Sequence, residues 1–220
     1  MSFPPRYRTA RAQSRGERAG HESRAKAVRA AAELFATAGF KGTSVAQVAQ
    51  QTGLSQSGLL HHFPSKAALL AAVLEDRDAE DGRFLSSDGE PPMSWAAFDA
   101  LAALVARNST RPQLVGLYVR ISAEAIERSH PAHDWVRDHY AGTEAWLSDA
   151  IRAGQARGEI AADAPVEAMI HTTIAVMDGL QQQWLLNPQR VNMVKEFAAH
   201  VATLRSRYTP QFAGKVSGAE

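Results

Sequence analysis

The sequence predicts an all-α protein, on three observations. Apolar residues recur at spacings of three and four along almost every segment, the period of a helix with one buried face. The β-branched runs are short and fall inside that period, as in MIHTTIAVM at 169–177. Prolines at 112, 131, 165 and 188 stand where successive helical patterns begin, a place that suits a residue lacking an N–H. With 220 residues and 45% apolar content, there is ample material for the core of one large or two smaller domains.

Residues 1–20 hold five arginines and little that can pack, so they read as a flexible basic arm. From Ser23, Val28, Ala31, Phe35 and Ala38 trace one helical face with Leu34 beside it, and Gly39–Phe40 forms a C-terminal stop with its hydrophobic contact. Thr43 stands as the N-cap of a short helix that buries Val45, Val48 and Ala49 and leaves Gln47 and Gln50 outside. Gly53 breaks that helix, and Ser55 caps a second one whose apolar pair, Leu59 and Phe63, is spaced i, i+4. Pro64 fits the first position of the next helix, which runs through AALLAAVLEDRDAE and ends before the turn-rich SSDGEPP at 86–92. Further helical segments are expected at about 93–107, 112–128, 131–157, 165–186 and 188–207, followed by a frayed tail at 209–220. The implied division is an arm at 1–20, a three-helix head at 21–66, a larger helical domain at 67–208, and the tail.

The stretch TSVAQVAQQTGLSQSGLLHHFPSK, Thr43 to Lys66, has the two helices and glycine-bearing turn of a helix-turn-helix that binds DNA. Turning the second helix at about 100° per residue with Leu59 and Phe63 inward points Ser57, Gly58 and His61 outward, flanked by Leu60 and His62. Gln56 lies in the first turn, where unpaired backbone N–H groups attract phosphate. Lys66, in the first turn of the following helix, adds a cation beside free donors and reads as a phosphate clamp. The candidate DNA-binding set is therefore Thr43, Gln47, Ser55, Gln56, Ser57, Gly58, Leu60, His61, His62 and Lys66. Net charge is only +1, yet residues 1–66 carry ten Lys/Arg against three Asp/Glu, leaving fourteen against twenty in the remainder. A basic head joined to an acidic body suits a protein that meets a polyanion at one end.

These residues resemble the DNA-binding domain of the TetR family of one-component bacterial transcription regulators. The likeness runs from about Glu22 to Leu74 and is carried by AAELFATAGFKGTSV, VAQQTGLS and HHFPSKAALL, in the family's order. One departure stands out: many relatives carry a tyrosine where this chain has Leu60. That tyrosine often touches the DNA backbone, so the resemblance implies that the contact is lost here or replaced by an apolar one, such as with a thymine methyl.

In the last helical segment Val191, Val194, Phe197, Val201 and Leu204 form a stripe, while the preceding helix is apolar on more than one face, which implies a second packing surface. In TetR relatives these two helices pair with their copies in a second subunit. The expected dimer interface is Ile174, Gln181, Trp184, Val191, Val194, Phe197, Val201 and Leu204. The middle helices carry large apolar and amphipathic side chains, and the resemblance implies an effector cavity among them. Its expected lining is Phe98, Leu101, Leu117, Tyr118, Ile121, Trp146 and Met177, with Asp178 as a polar contact. Core packing accounts for the same apolar residues if there is no cavity. Partners implied are a double-stranded DNA operator, a small organic effector and a second copy of the chain. The expected mechanism is repression by the empty dimer at a palindromic site, relieved when the effector tilts the heads through the helix from Pro64 to about Gly82.

Two other readings stand beside this one. A constitutive or architectural DNA-binding dimer would use its helical body only to pair. A metal-dependent helical enzyme would draw on His130, His133 and His139 near Asp134 and Asp138, although a polar helix start explains those letters equally. No catalytic residue, metal ligand set or cofactor is assigned: there is no phosphate loop, no Gly-x-Ser-x-Gly and no His-Glu-x-x-His. With no cysteine, disulfides, thiol catalysis and cysteine metal sites are excluded. No apolar run approaches the roughly 20 residues of a membrane span, and the arginine-rich start lacks the apolar stretch of a signal peptide, so a soluble cytoplasmic protein without membrane partners is expected.

Overall fold

Helix α1 (Arg15–Gly42) opens the computed structural model, which describes residues 15–86 and 89–210, with side chains from residue 19 onward. It starts earlier than the sequence predicts, so 15–20 of the expected arm are helical and residues 1–14 lie outside the described part. The helical path is interrupted at Gly39, with φ 73° and ψ 178°, where the sequence places its stop. Then come α2 (Val45–Thr52), α3 (Gln56–His62) and α4 (Lys66–Leu85). The body follows with α5 (Trp95–Asn108), α6 (Pro112–Glu124), α7 (His133–Ala156), α8 (Val166–Leu186) and α9 (Met193–Tyr208). No strand occurs among the described residues, and none of their helices is long and apolar enough to cross a membrane.

Several boundaries move for local reasons. Ser44, not Thr43, caps α2: its hydroxyl accepts from Gln47 N, and the Gln47 side chain accepts from Ser44 N, a reciprocal capping box. Thr43 is instead buried, its hydroxyl donating to Gly39 O at 2.9 Å. Pro64 lies outside α4, whose cap is Ser65. Pro112 does open α6, but that helix stops at Glu124 rather than 128, and α9 starts at Met193, five residues after Pro188. The tail from 211 lies outside the described residues.

Two apolar cores organise the chain. The first joins Phe35 of α1, Val48 of α2, Leu59 of α3, Phe63, and Leu69, Leu70, Val73 and Leu74 of α4 to Leu117 and Ile121 of α6. The head thus has no core of its own ending at residue 66; α4 and α6 complete it. The second gathers Phe98 and Leu101 of α5, Leu147 and Ile151 of α7, Met169, Ile170, Ile174 and Leu180 of α8, and Phe197, Val201 and Leu204 of α9.

That second core corrects the expected dimer face. Phe197 has no exposed surface, and Ile174, Gln181, Val201 and Leu204 are also buried within the single chain, because α9 lays its apolar stripe against α5 and α8. These side chains are covered within the single chain, without a second copy. Trp184, Val191 and Val194 remain half-exposed, so part of the expected set stays at the surface. The periodicity of α9 was real, but it faces inward.

Candidate nucleic-acid interface and effector cavity

The helix-turn-helix is held by its caps and two anchors. Gly53 takes the left-handed conformation, φ 72°, that ends α2, and its N–H reaches Ala49 O and Gln50 O. Ser55 Oγ accepts from Gly58 N at 3.0 Å and lies 3.1 Å from Ser57 Oγ. Leu59 and Phe63 are buried, and the Arg24 guanidinium stands 5.1 Å from the centre of the Phe63 ring. With that face pinned, Gln56, Ser57, Leu60 and His61 are exposed, Ser55 is exposed at the cap, and Gly58 and His62 are half-buried. Ser57 and His61 face outward as the helical rotation predicts, whereas Gly58 is half-buried against Ser55.

Three members of the expected set do other things. Thr43 is buried and offers no side chain to a groove. Gln47 is exposed, yet its side-chain oxygen is held in the capping box. Lys66 Nζ donates to Phe40 O at 2.8 Å and Thr43 O at 2.9 Å and lies 4.3 Å from the centre of the Phe40 ring. It closes the end of α1 onto the start of α4, so its cation is engaged by carbonyls rather than presented as a clamp.

In the body, α6, α7 and α8 enclose a cleft of about 380 Å³. Of the expected lining only Tyr118 and Asp178 border it. Phe98 and Leu101 are buried in the second core, Leu117 and Ile121 in the first, Met177 packs against the second core, and Trp146 donates from Nε1 to Pro92 O at 3.0 Å. The walls that sequence reasoning missed include Val119, Ser122, Ala125, Val136 and Tyr140. A signal was present: Tyr118 and Ser122, Val136 and Tyr140, and Asp178 and Gln182 are each spaced i, i+4, one pair from each helix. Ile126, 81% exposed, marks the mouth.

The cleft is apolar with a polar end. Tyr140 donates to Asp178 Oδ2 at 2.6 Å. Burial raises the Asp178 carboxyl above the ordinary carboxylate range, with the Tyr140 hydrogen bond, His139 and Arg77 pulling the other way. Burial also raises both Tyr118 and Tyr140, which are therefore neutral phenols. Arg77 of α4 stacks 4.4 Å from the centre of the Tyr118 ring, so the helix leaving the head touches a wall of the cleft.

The other face of α6 grips α1. Glu124 Oε2 accepts from Phe40 N at 2.9 Å, and Arg120 Nε donates to Ala36 O at 3.2 Å. The histidines of the metal-enzyme reading are dispersed: His130 Nδ1 accepts from Ala132 N, His133 Nδ1 pairs with Ala125 O, and His139 Nδ1 lies 3.3 Å from Asp78. No three His, Cys, Asp or Glu side chains converge on a metal position among the described residues.

The chain and its fold are similar to those of known proteins. Residues 27–73 match the bacterial regulatory proteins of the tetR family, and residues 96–206 match the C-terminal domain of the BetI-type transcriptional repressors. Over 192 residues the chain is 27% identical to the HTH-type transcriptional regulator TtgR of Pseudomonas putida, spanning 83% of this chain and 89% of that one. A TetR transcriptional regulator from Chloroflexus aurantiacus superimposes with a TM-score of 0.73 at 25% identity, over 88% of this chain and all of that one. SmeT, the repressor of the Stenotrophomonas maltophilia multidrug efflux pump SmeDEF, shares the fold with a TM-score of 0.69 at 14% identity, over 86% and 91% of the two chains. Such proteins are transcriptional regulators rather than enzymes, and this chain belongs to the TetR family of DNA-binding transcriptional regulators.

Proposed function

We propose that the protein is a dimeric repressor that holds a palindromic operator when empty and leaves it when a small organic molecule enters the cleft between α6, α7 and α8. The observation that carries this reading is the double engagement of α6. Tyr118, Val119 and Ser122 border the cleft, while Arg120 and Glu124 of the same helix bond the C-terminal end of α1. Any ligand that displaces α6 therefore displaces the head. Helix α4 gives a second route, through Arg77 on Tyr118 and through Glu80, which is paired with Arg107 and Arg111. A coupling of about 1–3 kcal/mol through these contacts changes operator affinity roughly 5- to 150-fold.

Base contacts come from Gln56, Ser57 and His61, with Leu60 and His62 beside them, on two heads about 34 Å apart in a dimer. The subunits meet through the faces of α8 and α9 that the single chain leaves open: Ala175, Gly179, Gln183 and Leu186 on α8, and Lys195, Ala198 and Ala202 on α9, with Trp184, Val191 and Val194 at the end. Small side chains there let helices approach closely, and Leu186 is 79% exposed in one subunit. The test is operator affinity measured with and without cleft ligands at fixed salt. A ligand that occupies the cleft without changing affinity for any duplex would leave a constitutive DNA binder as the better account.

A further inference from the structure

We infer that the cleft selects a small amphipathic ammonium, an apolar or aromatic body carrying one basic nitrogen, and that the nitrogen sits against Asp178. The inference rests on the cleft being the effector site and adds the chemistry of its ligand. Its basis is an unmet acceptor. Asp178 Oδ2 has the Tyr140 hydroxyl at 2.6 Å, while Oδ1 is buried with no hydrogen-bond partner. Ser122 Oγ, in the same wall, is also buried without one. An ionised carboxylate only accepts, and leaving it half-satisfied in an apolar wall is costly, so the site asks for a donor.

The cations nearby are engaged by other carboxylates. Arg77 lies 3.6 Å from Asp78 and 3.4 Å from Asp81, His139 lies 3.3 Å from Asp78, and Arg137 at the rim pairs with Asp134 and Asp138. No Lys, Arg or His nitrogen stands within salt-bridge distance of Asp178 among the described residues. Its charge is thus without a direct counterion, whereas a ligand ammonium would supply both charge and donors. The phenols of Tyr118 and Tyr140 border the same end, and the Tyr118 ring already carries one cation, the Arg77 guanidinium 4.4 Å from its centre. The remaining wall, from Val119, Ala123 and Val136, receives the apolar body, and about 380 Å³ lies in the range of small-molecule sites.

Three probes with one body and different heads test this: 4-phenylbutylamine, 4-phenylbutan-1-ol and 4-phenylbutyrate, titrated calorimetrically into the full-length protein near neutral pH. Both heads can donate to the carboxylate, but only the ammonium also brings a full opposite charge to a partly buried site, so the amine should bind on the order of tenfold tighter than the alcohol. The acid should bind weakest, and Asp178→Asn should abolish the amine's advantage over the alcohol. Equal binding of amine and alcohol, or an amine preference that survives Asp178→Asn, overturns the inference and leaves the cleft reading standing. Failure of all three to bind removes the cleft reading along with it. If Asp178→Asn does not fold, Tyr140→Phe strips the carboxylate of its one donor and should widen the amine preference; an unchanged or narrower preference overturns the proposal.

Discussion

Glu124 and Phe40, 84 residues apart in sequence, are joined by a hydrogen bond in which the carboxylate of α6 accepts from the backbone N–H at 2.9 Å. The bond forms because Gly39 turns the chain at φ 73°, freeing the Phe40 N–H from the ladder of α1 and aiming it at α6. A Cβ at position 39 would overlap Glu124 Oε1. His130 lies close behind, its Nε2 3.5 Å from Glu124 Oε2, and burial depresses its pKa below the usual imidazole range. The seam between head and body is thus a short polar cluster set in an apolar contact.

Gly39→Ala should lower stability by about 1–3 kcal/mol, since φ 73° with ψ 178° is a region almost reserved for glycine. It should also break the Glu124 bond by steric displacement. Glu124→Ala removes that obstacle, so the two substitutions should be less than additive in urea unfolding. Simple additivity would mean that the carboxylate and the glycine do not share the seam.

Lys66 and His61 should separate cleanly. Lys66→Ala loses two hydrogen bonds to carbonyls, so it should lower stability by about 1–3 kcal/mol and leave the salt dependence of DNA binding unchanged. His61→Ala should leave stability within about 0.5 kcal/mol and weaken preference at particular base pairs. A salt slope reduced by about one counterion in Lys66→Ala would return that residue to the phosphates.

The contrast shows which parts of the molecule were legible in the sequence. Periodicity and caps are local, and they gave the order of helices, the Gly39 stop, the Gly53 turn and the exposed side of α3. What Lys66 touches is set by a loop about 26 residues back, and nothing in its neighbours reports that two carbonyls wait there. The same limit explains the body. A stripe such as Val194, Phe197, Val201 and Leu204 says that a face is buried, not against what, and here the cover is α5 and α8 of the same chain. Large apolar residues were the natural candidates for a cavity, yet apart from Tyr118 they belong to the cores or pack against them, and the cleft is bordered by a mixed set that includes Ser122, Ala123, Val136 and Tyr140.

Asp178 predicts a pH dependence of stability. Because burial raises its pKa, the folded protein keeps a proton that the unfolded chain has already lost. Its contribution is therefore an erosion of stability as pH rises from the unfolded value, about 3.9, through the folded value. Asp178→Asn abolishes that titration. The variant should gain on the parent as pH rises through this window, with a constant difference above it, in paired thermal melts. His130 acts in the opposite sense, its support being lost as pH falls from about 6.5, but it is common to both proteins and cancels in the difference. A stability difference that ignores pH would show that Asp178 does not titrate in the folded range.

Neighbouring residues on α9 should divide pairing from folding. Phe197 is fully buried, so Phe197→Ala should cost about 3–5 kcal/mol by leaving a cavity, with loss of structure rather than dissociation of an intact subunit. Ala198 is exposed on the face proposed to meet a second copy, and a two-fold interface brings each substituted side chain to its counterpart surface, so one change counts twice. Ala198→Arg should keep the helical signal and melting behaviour of a folded chain while shifting sedimentation toward the monomer. The expected loss of two-headed binding follows, because a lone α3 retains its half-site but not the gain from tethering. A dimer that survives Ala198→Arg unchanged would move the interface away from α8 and α9.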